Sequence, residues 1–157
     1  MNPRLVLDRL SMELPDAGEA WEREASFILR APARDGYRPN IRVTYLTAAA
    51  PIEVAELARE YTARLKEGVG GVTLLEEKVR AVRGAHEAVA LAFRAQVAPD
   101  KAALHRVVIA TAKLAGGGVA AVTVAASRPE SAEGAADAAD GELEAALTRV
   151  LASVSLS

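Results

Sequence analysis

The 157-residue chain contains no cysteine. That removes disulfides, iron–sulfur clusters, thiolate zinc sites and cysteine nucleophiles together. Aromatic residues make up only 4% of it, so a core has to be built from Ala, Val and Leu around a few plates, Trp21, Phe27, Tyr37, Tyr45, Tyr61 and Phe93. Histidine occurs twice, as His86 and His105, and neither has a second ligand at a helical i, i+4 or close strand spacing. No metal or other cofactor is therefore expected. Charge of one sign is also lacking: 19 Lys and Arg stand against 21 Asp and Glu, a formal charge of −2. With the basic residues scattered, the footprint of a nucleic-acid or anionic-membrane partner is missing. No uncharged apolar run reaches 18 residues, so no membrane insertion is expected. Asp8 and Arg9 interrupt the start too early for a signal peptide, and a cytoplasmic location is the expectation.

What the chain does have is apolar content, 51% of its residues. At this length one domain over residues 1–157 should bury roughly 70% of the unfolded chain's surface. The organising stretch is His86 to Ala126, three apolar runs broken at Pro99-Asp100-Lys101 and at Gly116-Gly117-Gly118. It reads as three strands and two turns, the centre of an antiparallel sheet. Ahead of it, Leu10–Leu14, Phe27–Arg30 and Asn40–Tyr45 are strand-like, with Ile41, Val43 and Tyr45 on one face, and Ala17–Ala25 reads as a loop. Pro51 suits a first helical position, and Val54, Leu57, Ala58, Tyr61 and Leu65 form one helical stripe that stops at Gly68. A further strand runs from Val72 to Val82, and Arg83-Gly84-Ala85 turns it into the next. Near the end, Leu143, Leu147, Val150, Leu151 and Val154 form a second stripe, beyond an Ala-rich connector. The fold class is α+β: about six or seven antiparallel strands with two main helices packed on them.

No catalytic constellation emerges. The two glycine-rich spots follow a helix or join two strands, whereas a phosphate cradle sits between a strand and a helix N-terminus. No serine occupies a Gly-x-Ser-x-Gly elbow, and Glu76 and Glu77, adjacent on a strand, face opposite ways. His105 shares the alternation of Val107 and Ile109 and reads as a surface or satisfied core residue. The suggestive feature is a surface. Along the fifth strand Val89, Leu91, Phe93, Ala95 and Val97 share the face that helices need, while Ala88, Ala90, Ala92, Arg94 and Gln96 share the other. A solvated face would carry Lys, Glu or Thr there, so this one is either covered by residues 17–25 or 127–141 or offered to another chain.

Short pieces of the sequence carry a resemblance. Leu14-Pro15 with Trp21 downstream, Arg30-Ala31-Pro32, Pro39-Asn40-Ile41-Arg42-Val43, Leu74-Leu75-Glu76-Glu77, Gly84-Ala85-His86-Glu87-Ala88 and the ending Leu151 to Leu156 are spread over almost the whole chain. Together they resemble the Mog1/PsbP-like superfamily, within it the bacterial DcrB-like (DUF1795) proteins and the LpqN-type lipoproteins. The resemblance implies an antiparallel sheet with packed helices and a protein that binds other proteins, as the Eag secretion chaperones do. The expected function is accordingly a non-enzymatic adaptor or secretion-chaperone-like domain. Its partner would be another protein, an apolar protein segment or a second copy of the chain, met by the Ala88, Ala90, Ala92, Arg94 and Gln96 face or by a sheet edge. The alternative is a binder of small apolar, lipid-like molecules, held between sheet and helices by alanine-lined space. An enzyme ranks last.

Overall fold

A computed structural model describes residues 4–7, 10–13, 23–33, 36–130 and 145. Its elements are β1 (Arg4–Leu7), β2 (Leu10–Glu13), β3 (Arg23–Arg30), β4 (Asn40–Ala48), α1 (Val54–Gly68), β5 (Val72–Val79), β6 (Glu87–Ala98), β7 (Lys101–Lys113) and β8 (Val119–Pro129). β1 and β2 form a two-stranded ribbon, and the other six strands form one sheet in the order β3-β4-β8-β7-β6-β5. Every neighbouring pair is antiparallel. Strands β5 to β8 follow one another as a meander, but β4 lies beside β8, four places from β5. The chain must therefore cross over β8, β7 and β6 to start β5. Helix α1 makes that crossing, which lays it on one face of the sheet.

That face decides the packing. Val54, Leu57, Tyr61 and Leu65 of α1, with buried Ala58, pack on Val89, Leu91 and Phe93 of β6, Val107 and Ile109 of β7 and Ala125 of β8. Phe93, the largest fully buried side chain, is 0% exposed. The strand parity and the helical stripe read from the sequence both hold in the structure. On the opposite face Val108, Val122, Val124 and Ala126 form a second buried cluster with Ile41, Val43 and Tyr45 against it. Burial on both faces is why β7 and β8 are nearly continuous apolar runs and not clean alternations.

Several boundaries differ from expectation. Pro51 is not the first helical residue: the helix is capped by Glu53, with extended backbone and no side-chain cap, and begins at Val54. The Glu53 carbonyl accepts from the Glu56 and Leu57 amides at 3.1 and 3.2 Å, so the first turn closes on Glu53. Strand β3 starts at Arg23, which takes residues 23–25 out of the expected loop, and β1 adds a strand, making four before the helix. β5 stops at Val79 because the chain then turns through Gly84, whose φ is 80°, with the Ala85 amide donating to the Val82 carbonyl at 3.1 Å. Val82 thereby leaves the ladder and packs on the second cluster. The β7–β8 hairpin needs its glycines: Gly118 has φ 85°, and a Cβ there would sit 2.6 Å from the Ala48 carbonyl oxygen. Trp21 and the 131–141 connector lie outside the described residues, and of the second expected helix only Ala145, itself helical, lies within them.

Replacing Phe93 by alanine should destabilise the protein by about 3 to 5 kcal/mol, the cost of emptying an aromatic site in a closed core. Val79→Ala on the open edge strand, where Val79 is 91% exposed, should stay within about 0.5 kcal/mol. Urea denaturation of both variants checks the pair, and equal costs would contradict the packing described.

Candidate functional site

Helix α1 packs on β6 and β7, and the β4 and β8 part of the same face forms the floor of a cavity of about 680 Å³ beside it. The floor is Asn40, Arg42, Thr44 and Leu46 of β4, Ala121, Thr123, Ala125 and Ser127 of β8, Ala103 and His105 of β7, and Ala95 and Val97 of β6. The wall is Leu57, Glu60, Tyr61, Arg64 and Leu65 of α1 with Val69 just after it, and Tyr37 closes one side. The register explains how these residues meet. Asn40 pairs with Ser127 and Ser127 with His105, which pairs in turn with Phe93. Arg42 pairs with Ala125 one row along, and Thr44 with Thr123 in the row after that. Small side chains on β8 keep the floor low, so a void persists where larger ones would meet the helix.

Two hydrogen-bonded pairs stand in the lining. Tyr61 Oη and His105 Nε2 share a hydrogen bond, and their rings stack with centroids 5.9 Å apart and planes 13° from parallel. Both rings also lie 6.3 Å from Phe93. The Tyr37 and Ser127 hydroxyls are bonded to one another. Burial lowers the His105 pKa to about 4, and the positive charge of Arg42 acts in the same direction. Burial also raises the Tyr61 pKa to about 12, against a smaller opposing pull from Arg42. The Tyr61–His105 pair is thus neutral at physiological pH. Glu60 and Arg64, on the helix wall, form an ion pair with each other at 3.8 Å. Arg42 has no ion-pair partner among the described residues.

The residues expected to meet a partner are elsewhere. Ala88, Ala90, Ala92, Arg94 and Gln96 do share the sheet face away from α1. They pair across with Ala110, Val108, Arg106, Leu104 and Ala102 of β7. Ala88 is only 5% exposed, and Ala90 and Ala92 are half-buried. Arg94 is ion-paired to Glu130 at 2.8 Å. Gln96 Nε2 donates to the Ala98 and Pro99 carbonyls at 2.7 and 3.2 Å. His86 is outside the cavity lining, while His105 proves to be a satisfied, half-buried residue within it. Arg42 and Tyr61 were missed as site residues; the available signal was the polar run Asn40, Arg42, Thr44 on the helix-facing side of β4, where an apolar floor would be expected. Among the described residues no three His, Asp or Glu side chains gather where they could hold a metal ion. No helix among them is long and apolar enough to cross a membrane.

No family model matches the chain, and no curated protein is significantly similar to it. Solved structures are similar in fold. A protein of unknown function from Pseudomonas aeruginosa, PA94, aligns over 99% of this chain and 97% of its own, with a TM-score of 0.61 and 16% identity. LpqN, involved in cell envelope biogenesis of Mycobacterium tuberculosis, aligns over 87% of this chain and 83% of its own, with a TM-score of 0.54 and 10% identity. At such identities the likeness establishes a common antiparallel α+β fold, and one of the two is a type that the sequence resembles.

The buried histidine makes a pH prediction. His105 binds its proton at about 4 in the folded chain and at about 6.5 when unfolded. Between those values the unfolded state holds more protons, so stability is full above pH 6.5 and is lost as pH falls toward 4. The loss should be on the order of 3 kcal/mol. In His105→Gln that share of the slope should disappear, which denaturation curves of both proteins at pH 7.5, 5.5 and 4.5 would measure. Parallel curves would count against the assigned burial.

Proposed function

We propose that this chain is a non-enzymatic binding protein of Mog1/PsbP-like, DcrB- or LpqN-related fold that holds a small, largely apolar molecule between α1 and the sheet. The observation that carries the reading is the cavity, whose volume of about 680 Å³ lies in the range of small-molecule sites, about 300 to 1,000 Å³. Its lining is mixed, with Leu46, Leu57, Leu65, Val69, Val97 and four alanines set among ten polar or charged residues, which suits a molecule with both an apolar and a polar part. The pair Tyr61–His105 favours binding over catalysis: His105, with its pKa near 4 and its Nε2 bonded to Tyr61, is a weak base at neutral pH, and the Ser127 hydroxyl is engaged by Tyr37.

The geometry supports this reading above contact through the alanine face. Ala88 and the Val108 and Val124 side chains on that face are buried, which leaves little apolar area to offer along its length. Contact with another protein at the sheet edge has one observation in its favour, namely that Leu75 is 54% exposed and Val79 lies open on edge strand β5. The bulge between Leu74 and Glu76 interrupts pairing there, as bulges on edge strands do. Light scattering distinguishes the cases: a dimer that Leu75→Lys dissociates supports the edge, and a monomer leaves the cavity reading alone.

The cavity reading is tested with an environment-sensitive apolar dye. Wild type should bind it with a stoichiometry of one and a blue-shifted emission. Thr123→Trp, which plants an indole on the floor, should abolish binding while the far-ultraviolet circular dichroism stays unchanged. Undiminished binding by this folded variant would place the dye, and the function, elsewhere.

A further inference from the structure

Apolar and polar residues share the cavity lining about equally, and an arginine stands on its floor. Arg42 pairs with Ile28 on β3 and with Ala125 on β8. The helix-facing positions on either side of it are Asn40 and Thr44 on its own strand, Thr123 and Ser127 on β8, and Ser26 and Arg30 on β3. None of these carries a carboxylate. The one acidic residue in the lining, Glu60, is on the opposite wall and is bound to Arg64. Tyr61 and His105 are neutral, so they add no charge. The described lining thus carries one uncompensated positive charge, at Arg42. Arg42 is exposed to solvent on that floor, so its guanidinium is hydrated in the free protein and accessible to a ligand's counter-charge.

The apolar residues are not spread evenly around this charge. Ala95, Val97 and Ala103 of the sheet and Leu65 and Val69 beside them form a patch beyond His105. Val97 is 44% exposed there, a large apolar side chain left open at the mouth of a cavity. A bound chain would cover it.

We infer that the ligand is an amphiphile with a single carboxylate, its head group on Arg42 and its hydrocarbon part against Leu65, Val69, Ala95, Val97 and Ala103. The inference rests on the cavity-binding reading and adds the chemistry of the ligand to it. One guanidinium matches one carboxylate, which it can meet with two parallel N–H donors. Arg30, at the neighbouring helix-facing position on β3, is outside the lining, and Arg64 is paired with Glu60. The lining thus offers a single uncompensated guanidinium and suits a singly charged head group better than a phosphate with its larger charge. At the same end the Tyr37–Ser127 pair keeps one hydroxyl proton and Asn40 Nδ2, which donates to the Arg38 carbonyl, keeps one N–H to donate to the carboxylate oxygens.

The probes are dodecanoate, dodecanol and dodecylammonium, titrated below their aggregation limits into the full chain at pH 8 by calorimetry. Dodecanoate should bind most tightly. Arg42→Gln should weaken dodecanoate by about tenfold or more, leave dodecanol unchanged, and keep the wild-type melting temperature. Arg42→Lys should recover part of the loss, and added salt should weaken dodecanoate binding more than dodecanol binding. Equal affinities for dodecanoate and dodecanol, or an Arg42→Gln variant that binds dodecanoate as wild type does, would overturn the carboxylate inference while leaving an apolar site in place. Stronger binding of dodecylammonium would overturn it as well. Failure of wild type to bind any of the three would overturn the cavity reading together with the inference.

Discussion

Tyr61 is the contact on which helix and sheet depend. One side of its ring approaches Phe93, the largest fully buried side chain among the described residues, and its hydroxyl bonds His105 from β7. These interactions fix the roll of α1, so that Ala58 and Leu57 face the Val89, Leu91, Ile109 cluster. They also fix its distance from β4. Because the anchor lies over β6 and β7, the helix packs chiefly on those two strands and meets β8 at Ala125, and the core on one side of Tyr61 becomes a cavity on the other. Core and candidate site are two sides of one packing decision.

That decision follows from topology and residue size. The crossing from β4 to β5 passes over β8, β7 and β6, and the bulky side chains on this face, Leu91, Phe93, Val107 and Ile109, belong to β6 and β7. Apolar burial is worth roughly 25 cal/mol per Å², so the helical stripe settles where that area is. The helix-facing positions of β8 are Ala121, Thr123, Ala125 and Ser127, and those of β4 are Asn40, Arg42, Thr44 and Leu46. A helix lying on them would have to desolvate an arginine and several hydroxyl and amide groups against Leu57 and Leu65. Leaving them open to a ligand or water avoids that cost.

Much of this was legible in the sequence, and the parts that were not share a physical reason. Strand alternation and the helical stripe are local, and so is the triple glycine that reverses the chain between β7 and β8. Each could be read within a dozen residues. The alanines were also visible, but alternation alone does not say which of two apolar faces is the open one. Ala88, Ala90 and Ala92 lie on the face of the second buried cluster, while Ala95, Ala103, Ala121 and Ala125 line the cavity. Alanine-lined space between sheet and helix is the alternative that the composition allowed. Arg42, Tyr61 and His105 could not be placed together from the sequence, because they come from β4, α1 and β7 and meet only through the register of a six-stranded sheet. The boundary errors have a different origin: Pro51 is compatible with an extended approach to the cap as well as with a first helical turn, since its fixed φ suits both.

The electrostatics of the lining bear on what kind of site this is. A histidine and a tyrosine in hydrogen-bond contact would ordinarily invite a catalytic or pH-sensing reading, because one of them titrates near neutrality. Here burial moves the two pKa values apart, to about 4 for His105 and about 12 for Tyr61. Arg42 pushes His105 further in its direction and resists the shift of Tyr61 only in part. Both groups therefore keep their charge state across the whole physiological range. A pair tuned in this way neither takes up nor releases protons as conditions change, so it serves as a neutral, rigid strut between helix and sheet. The net charge of the described lining is then constant and is that of Arg42, with Glu60 and Arg64 cancelling at the rim. Discrimination by such a cavity rests on fixed charge and shape, without a proton switch.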